Sequence, residues 1–139
     1  MKNVLFENIK CGSDLEFKVG ACLDNVKITG KKTKELICRK IFPEDIYYER
    51  PEIDVHFDIS EFDGWVEIYG IPASKVITHP DKQYKFFPEE FKKIDLEKSS
   101  FSHNWKRELE DFECESGVFN IQDEQREDIN KLREMGLNI

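Results

Sequence analysis

The feature that most constrains the fold of this chain is a strict alternation of apolar and polar residues across residues 53–60. The apolar members are Ile53, Val55, Phe57 and Ile59. Successive side chains of a β-strand point to opposite faces, so this pattern predicts a strand with one buried and one solvated face.

A tight turn is predicted directly after this strand. Asp63-Gly64 is the dipeptide favoured in two-residue hairpin loops, where both central residues need positive φ. Residues 65–71 then alternate again and are rich in β-forming side chains. A two-residue loop would place Ser60 opposite Glu67, so we predict that the two segments form an antiparallel hairpin.

The predicted hairpin has one apolar face and one face of carboxylates mixed with aromatic side chains. The apolar face consists of Phe57, Ile59, Val66 and Ile68. Aromatic anchors within a charged field are typical of protein-binding surfaces, and the alternative is a helix of the same chain that covers the aromatics. The residues that we assign to partner binding are Asp54, Asp58, Phe62, Trp65, Glu67 and Tyr69.

Two segments of the chain are strongly acidic. Residues 44–67 contain nine acidic residues and one basic residue, and residues 108–128 have the same balance. The formal net charge is −8 and the pI is about 5.0. Nucleic acid and anionic membranes attract basic surfaces, so we expect neither as a partner. A basic protein is the expected partner, and solubility alone is the alternative explanation for the acidity.

Only one cluster resembles a metal or acid–base site: Asp54, His56 and Asp58 on one predicted strand face. Residues two apart on a strand are separated by roughly 7 Å, which is too wide for one ion unless the side chains converge. We therefore predict a solvated strand face there. No zinc-protease, nucleophile-elbow or calcium-loop motif is present in the sequence. We predict no catalytic residue, no metal and no cofactor.

The four cysteines give no sign of a metal site or a disulfide framework. Cys11, Cys22, Cys38 and Cys114 are scattered without metal-type spacing. The N-terminal residues lack the apolar segment of a secretion signal, and no apolar run approaches the length of a membrane span. These observations predict free thiols in the reducing environment of the cytoplasm.

Helix signals are concentrated in the second half of the chain. Pro88 begins a short helix with acidic residues in its first turn, and Ser102 can cap a second helix. The apolar stripe of that second helix is Phe101, Trp105, Leu109 and Phe112. Asp123 can cap a third helix, for which Gly136 supplies a left-handed C-terminal residue.

This order of elements predicts a single α+β domain over residues 1–139. Strands come first and helices gather at the end, which favours a mainly antiparallel β-sheet of about five to seven strands. Two or three helices, mostly C-terminal, would pack on one face of that sheet.

The expected function is that of a small acidic protein-binding inhibitor. Its physical profile is typical of an immunity protein that neutralises a nuclease-like toxin by covering its active or substrate-binding surface. The alternatives are a phage-type inhibitor of a host defence nuclease, a small enzyme or ligand-binding domain with a site between sheet and helices, and a structural or adaptor subunit. Residues 108–128 are the alternative location for the contact.

Overall fold

Two β-sheets face each other across a shared apolar core in the computed structural model of this chain. The structure describes residues 1–18, 24–31, 34–39, 56–69, 71–97, 100–112 and 116–139. Within these ranges the strands are β1 (Lys2–Glu7), β2 (Leu15–Lys18), β3 (Asp24–Thr29), β4 (Glu35–Arg39), β5 (Phe57–Asp58), β6 (Trp65–Tyr69), β7 (Val76–Ile77), β8 (Gln83–Phe86) and β9 (Gly117–Asn120).

The strands divide between a parallel sheet and a mixed sheet. Sheet A has the order β1-β3-β5-β7, and each neighbouring pair is parallel. Sheet B has the order β2-β4-β6-β9-β8. Its first three strands are parallel, whereas β9 pairs antiparallel with both β6 and β8.

From β1 to β8, consecutive strands lie in opposite sheets, so the chain advances in stacked coils like a short β-solenoid. Equivalent apolar residues of successive coils form columns. One column in sheet A is Val4, Val26, Phe57 and Val76, and one in sheet B is Phe17, Cys38, Ile68 and Val118. These columns belong to one core between the sheets, which is apolar because both sheets bury their inner faces there.

The prediction of an α+β fold is confirmed, but the predicted mainly antiparallel sheet is wrong. The described residues contain nine strands in two sheets, rather than five to seven strands in one. The error follows from the hairpin, because that prediction assumed that successive strands pair with each other. In this fold they cross between sheets and pair with strands of the preceding and following coils.

The predicted hairpin is also wrong, since β5 belongs to sheet A and β6 to sheet B. Asp63 and Gly64 are not among the residues with positive φ. The Asp63 N–H instead donates to the Gly30 carbonyl at 3.0 Å, and its carboxylate lies 2.5 Å from Lys82 Nζ. The hydrogen bond from Lys82 and the positive charge of Lys82 lower the pKa of Asp63. The segment between β5 and β6 therefore carries the chain across the core instead of reversing it within one sheet.

A second apolar core lies where the helices cover the outer face of β8 and β9. The helices are α1 (Pro88–Phe91), α2 (Trp105–Asp111) and α3 (Arg126–Glu134). The buried members of this core are Tyr84, Phe86, Phe91, Trp105, Ile129, Leu132 and Leu137. Residues of β2, β4 and β6 do not belong to it. Among the described residues, no helix combines the length and apolarity that crossing a membrane requires.

Two of the predicted helix caps differ from the structure. The cap of α2 is Asn104, whose side chain accepts from the Arg107 N–H at 3.1 Å, whereas Ser102 bonds elsewhere. A 3₁₀ turn (Asp123–Gln125) precedes α3, and Gln122 and Gln125 cap it reciprocally, so Asp123 is not the cap. A side-chain amide can cap as a carboxylate does, because its oxygen also accepts from backbone N–H groups.

The predicted end of the last helix is confirmed. Gly136 has φ of 90°, and its N–H donates to the Arg133 carbonyl at 2.9 Å. The Leu137 N–H donates to the Leu132 carbonyl at 3.1 Å, which completes a Schellman closure. Leu137 is buried beside the helix as that closure requires.

Candidate functional site

The six residues predicted to bind a partner do not share one face. Asp54 lies outside the described residues. Asp58 belongs to sheet A, where its carboxylate lies 3.7 Å from Lys27 Nζ and accepts from the Ser60 N–H and hydroxyl. Phe62 is 2% exposed in the core between the sheets. The chain crosses the core between Asp58 and Trp65, and this crossing separates residues that a hairpin would have kept together.

Three of the predicted residues do share a surface, on the outer face of β6. Trp65, Glu67 and Tyr69 alternate with Val66 and Ile68, which are buried in the core. Trp65 is 46% exposed, an unusual exposure for a side chain of its size. Because paired residues lie on the same face, this surface continues onto the neighbouring strands.

The neighbouring strands add a carboxylate, an aromatic ring and the buried Ile37, which lies opposite Glu67, to this face. Glu35 of β4 lies opposite Trp65, and Phe119 of β9 lies opposite Glu67. We use the name sheet B surface for Glu35, Trp65, Glu67, Tyr69 and Phe119. It contains two carboxylates and three aromatic side chains.

A groove of about 550 Å³ opens next to this surface, beside α2. We call it the α2 groove. Its apolar lining includes Phe112 and Phe119, whose ring centroids are 5.8 Å apart. Among the described residues, its ionisable lining consists of His103, Arg107, Glu108, Asp111 and Glu124. Phe119 therefore belongs to both the groove and the sheet B surface.

A hydrogen-bonded network fixes the carboxylate of Glu108 in the wall of the groove. His103 Nε2 lies 2.5 Å from Glu108 Oε2, and the Tyr84 hydroxyl donates to Glu108 Oε1 at 2.7 Å. Burial, together with the charge of Glu108, raises the pKa of Tyr84 far above its usual range. The phenol consequently stays protonated and keeps donating to the carboxylate.

A buried carboxylate holds the segment before α2 in place. Asp128 is fully buried, and it accepts from the backbone N–H groups of Ser102 and His103 at 3.1 and 2.7 Å. It also accepts from the Ser102 hydroxyl at 3.1 Å and from Trp105 Nε1 at 3.3 Å. Burial acts to raise the pKa of Asp128, but these four hydrogen bonds outweigh it and lower the pKa. The charged carboxylate thus orders the groove wall that contains His103.

The patterns in the sequence did not predict this network. Its members come from β8, the segment before α2, α2 itself and α3, so no motif spacing joins them. The signals that pointed in this direction were the acidic segment 108–128 and the apolar stripe that contains Phe112. The described residues contain no group of three or more His, Cys, Asp or Glu side chains placed to hold a metal ion.

Comparisons with known proteins do not identify this chain. No protein-family model, curated protein or solved structure matches it. Any functional inference therefore depends on the chemistry of the sheet B surface and the α2 groove.

Proposed function

We propose that this chain is a protein-binding inhibitor whose sheet B surface and α2 groove bind a basic protein. The class that fits best is an immunity protein that neutralises a nuclease-like toxin by covering its active or substrate-binding surface. The observation that supports this proposal is the pairing of Glu67 with Phe119. It places Glu67, from the acidic segment 44–67, beside Phe119, from the acidic segment 108–128, on one face of sheet B.

The charge of this surface suits a basic target. Glu67 lies beside the groove, and Asp111 and Glu124 lie at its exposed margin. Clustered carboxylates speed the association of a basic protein by electrostatic steering and disfavour neutral or acidic competitors. A nucleic-acid cleft is basic because it binds phosphates, and a surface of carboxylates can occupy such a cleft in place of phosphates.

Trp65 supplies the anchor that charges alone do not provide. Surface ion pairs contribute about 0–1 kcal/mol each, whereas aromatic residues that lose solvent at an interface commonly contribute 2 kcal/mol or more. Trp65 is the largest of the exposed hydrophobic side chains in the described residues, and it lies beside Glu35 and Glu67. An aromatic anchor with carboxylates around it is the arrangement expected of a tight, salt-sensitive contact.

The proposed compartment is the cytoplasm, where thiols stay reduced. Cys11 and Cys38 are free, and burial raises the pKa of Cys38 to about 12. The Cys38 thiol is therefore buried and protonated, so it fills space in the core and is poorly reactive.

Capture of the partner with matched charge variants tests the proposal. Tagged wild-type protein, Glu67→Lys and Glu134→Lys are incubated with lysate of the native host and washed at low and then high salt. Both variants change the net charge equally, but Glu134 is an exposed residue at the end of α3 and does not line the groove. Retained proteins are identified by mass spectrometry and then tested for inhibition of their activity.

The proposal predicts one basic protein, retained in near-stoichiometric amount by wild type and by Glu134→Lys but lost from Glu67→Lys. The complex should weaken as salt rises, and the activity of the captured protein should be inhibited. A captured partner that is neutral or acidic, or that binds Glu67→Lys as tightly as wild type, would overturn the proposal.

A further inference from the structure

We infer that the α2 groove receives an arginine side chain of the basic partner. This inference rests on the proposed function and names the group that would be recognised. Two features of the groove carry it: its apolar lining of aromatic rings and the carboxylates at its margin.

The aromatic lining suits a flat cation. Phe112 and Phe119 both line the groove, and their ring planes meet edge to face at 82°. A guanidinium is planar and weakly hydrated, and it stacks on aromatic faces at a low desolvation cost. An ammonium group is compact and strongly hydrated, so lysine gains less from the same rings.

The groove has one part-buried carboxylate with two hydrogen-bond partners, Glu108, and two exposed carboxylates, Asp111 and Glu124. Both oxygens of Glu108 already have partners, His103 and Tyr84, so Glu108 contributes a fixed negative charge. Asp111 has 72% of its side chain exposed, and Glu124 is also exposed. Both residues line the groove, and a guanidinium can bond a carboxylate through two parallel N–H groups.

The chain itself places an arginine at the margin of this groove. Arg107 Nε lies 3.4 Å from Asp111 Oδ2, with 78% of the Arg107 side chain exposed. An exposed pair four residues apart on a helix is weak, so an incoming guanidinium can displace it. Arg107 therefore acts as a competitor, and its removal should strengthen binding of an arginine ligand.

The test uses arginine itself as the probe, with its backbone charges capped as Nα-acetyl-arginine N-methylamide. Matched probes are the lysine analogue and the citrulline analogue, which keeps the shape of arginine without its charge. Binding is measured from NMR shifts of the Phe112 and Phe119 rings during titration. For a ligand of this size, a dissociation constant on the order of 1 mM is expected.

The inference predicts saturable shifts with arginine, weaker binding of lysine and no binding of citrulline. The double variant Asp111→Asn/Glu124→Gln should weaken arginine binding by about tenfold, and Arg107→Gln should strengthen it about twofold. Glu110→Gln is the control, because Glu110 is an exposed residue of α2 that does not line the groove. It should bind arginine to within about twofold of wild type.

Equal binding of arginine and citrulline, absence of saturable shifts, or no effect of the double variant would overturn the inference. Failure of the arginine site and failure of the proposed function can be told apart. If a basic partner is captured and lost with Glu67→Lys while the arginine probe does not bind, only the arginine site is wrong. If the probe binds but the captured partner is not basic, the proposed function is wrong and the groove remains an arginine site.

Discussion

Glu67 and Phe119 lie directly opposite each other in the antiparallel pair of β6 and β9, although they come from distant parts of the chain. Phe119 also contacts Tyr84 and Phe112 of the second core, with ring centroids 5.9 and 5.8 Å away. One aromatic residue thus joins the outer face of β6 to the helical layer. Because of this pairing, the outer face of β6 and the Phe119 side of the α2 groove adjoin each other.

Phe62 and Trp65 should differ sharply in their effect on stability. Phe62 is 2% exposed, so Phe62→Ala leaves a cavity between the sheets and should lower the free energy of unfolding by about 3–5 kcal/mol. Trp65 is 46% exposed, and Trp65→Ala should lower it by no more than about 1 kcal/mol. Urea unfolding of the two variants measures both values. Similar losses would indicate that the two residues share an environment, as the predicted hairpin required.

Asp128 should be among the most sensitive polar positions of the fold. Asp128→Ala removes the acceptor of two backbone N–H groups, a hydroxyl and an indole N–H. A buried donor without an acceptor costs about 1–3 kcal/mol, so a total loss of about 3 kcal/mol is expected. Asp123→Ala, at a fully exposed carboxylate five residues earlier, should change the unfolding free energy by less than about 0.5 kcal/mol. A loss below about 1 kcal/mol for Asp128→Ala would contradict the buried network.

Because of the Asp128 carboxylate, we expect the free energy of unfolding to fall at acid pH. The pKa of Asp128 is lowered in the folded protein, so between its folded and unfolded pKa values the unfolded chain binds more protons. Its stabilisation is therefore complete above the unfolded value of about 3.9 and is lost as pH falls through the folded value. Urea unfolding between pH 6 and pH 3 should show a smaller decline for Asp128→Asn than for wild type. If the unfolding free energies of Asp128→Asn and wild type decline equally with pH, the pKa of Asp128 is the same in the folded and unfolded protein.

Local features of the fold were predictable because a few neighbouring residues determine them. Gly136 followed by Leu137 predicted the helix end, since only a left-handed residue allows that closure. Alternation also identified a set of core residues, and Phe57, Ile59, Val66 and Ile68 are all buried. What alternation cannot specify is whether two buried segments pair with each other or face each other across a core. Both arrangements bury the same residues.

The sheet partners were not predictable, because the coils differ in length. Val4, Val26, Phe57 and Val76 occupy equivalent positions in successive coils, yet their separations along the chain are unequal. No fixed sequence period results, and so no repeat signals the coils. The α2 groove was hidden for a related reason: His103, Glu108 and Tyr84 meet only because α2 packs over β8.

The stacking of successive coils can be tested at Gly30, which lies against Asn8 of the preceding coil. The Asn8 N–H donates to the Thr29 carbonyl at 3.1 Å, and both Asn8 and Gly30 have positive φ, 49° and 87°. A Cβ at Gly30 would lie 2.2 Å from Asn8 Oδ1 and 3.3 Å from Asn8 Cα. Gly30→Ala therefore combines backbone strain with a steric clash between coils.

Gly136→Ala is the matched comparison, because Gly136 has φ of 90° and no atom lies within 4 Å of an added Cβ. It should lower the unfolding free energy by about 1 kcal/mol, the cost of the left-handed conformation alone. Gly30→Ala should exceed this by at least about 1 kcal/mol, the lower end of the cost of overpacking a well-packed site. Adding Asn8→Gly should recover part of the excess at Gly30 and none of the loss at Gly136. If the losses at Gly30 and Gly136 are equal, or if Asn8→Gly recovers nothing at Gly30, the two coils do not stack at these residues.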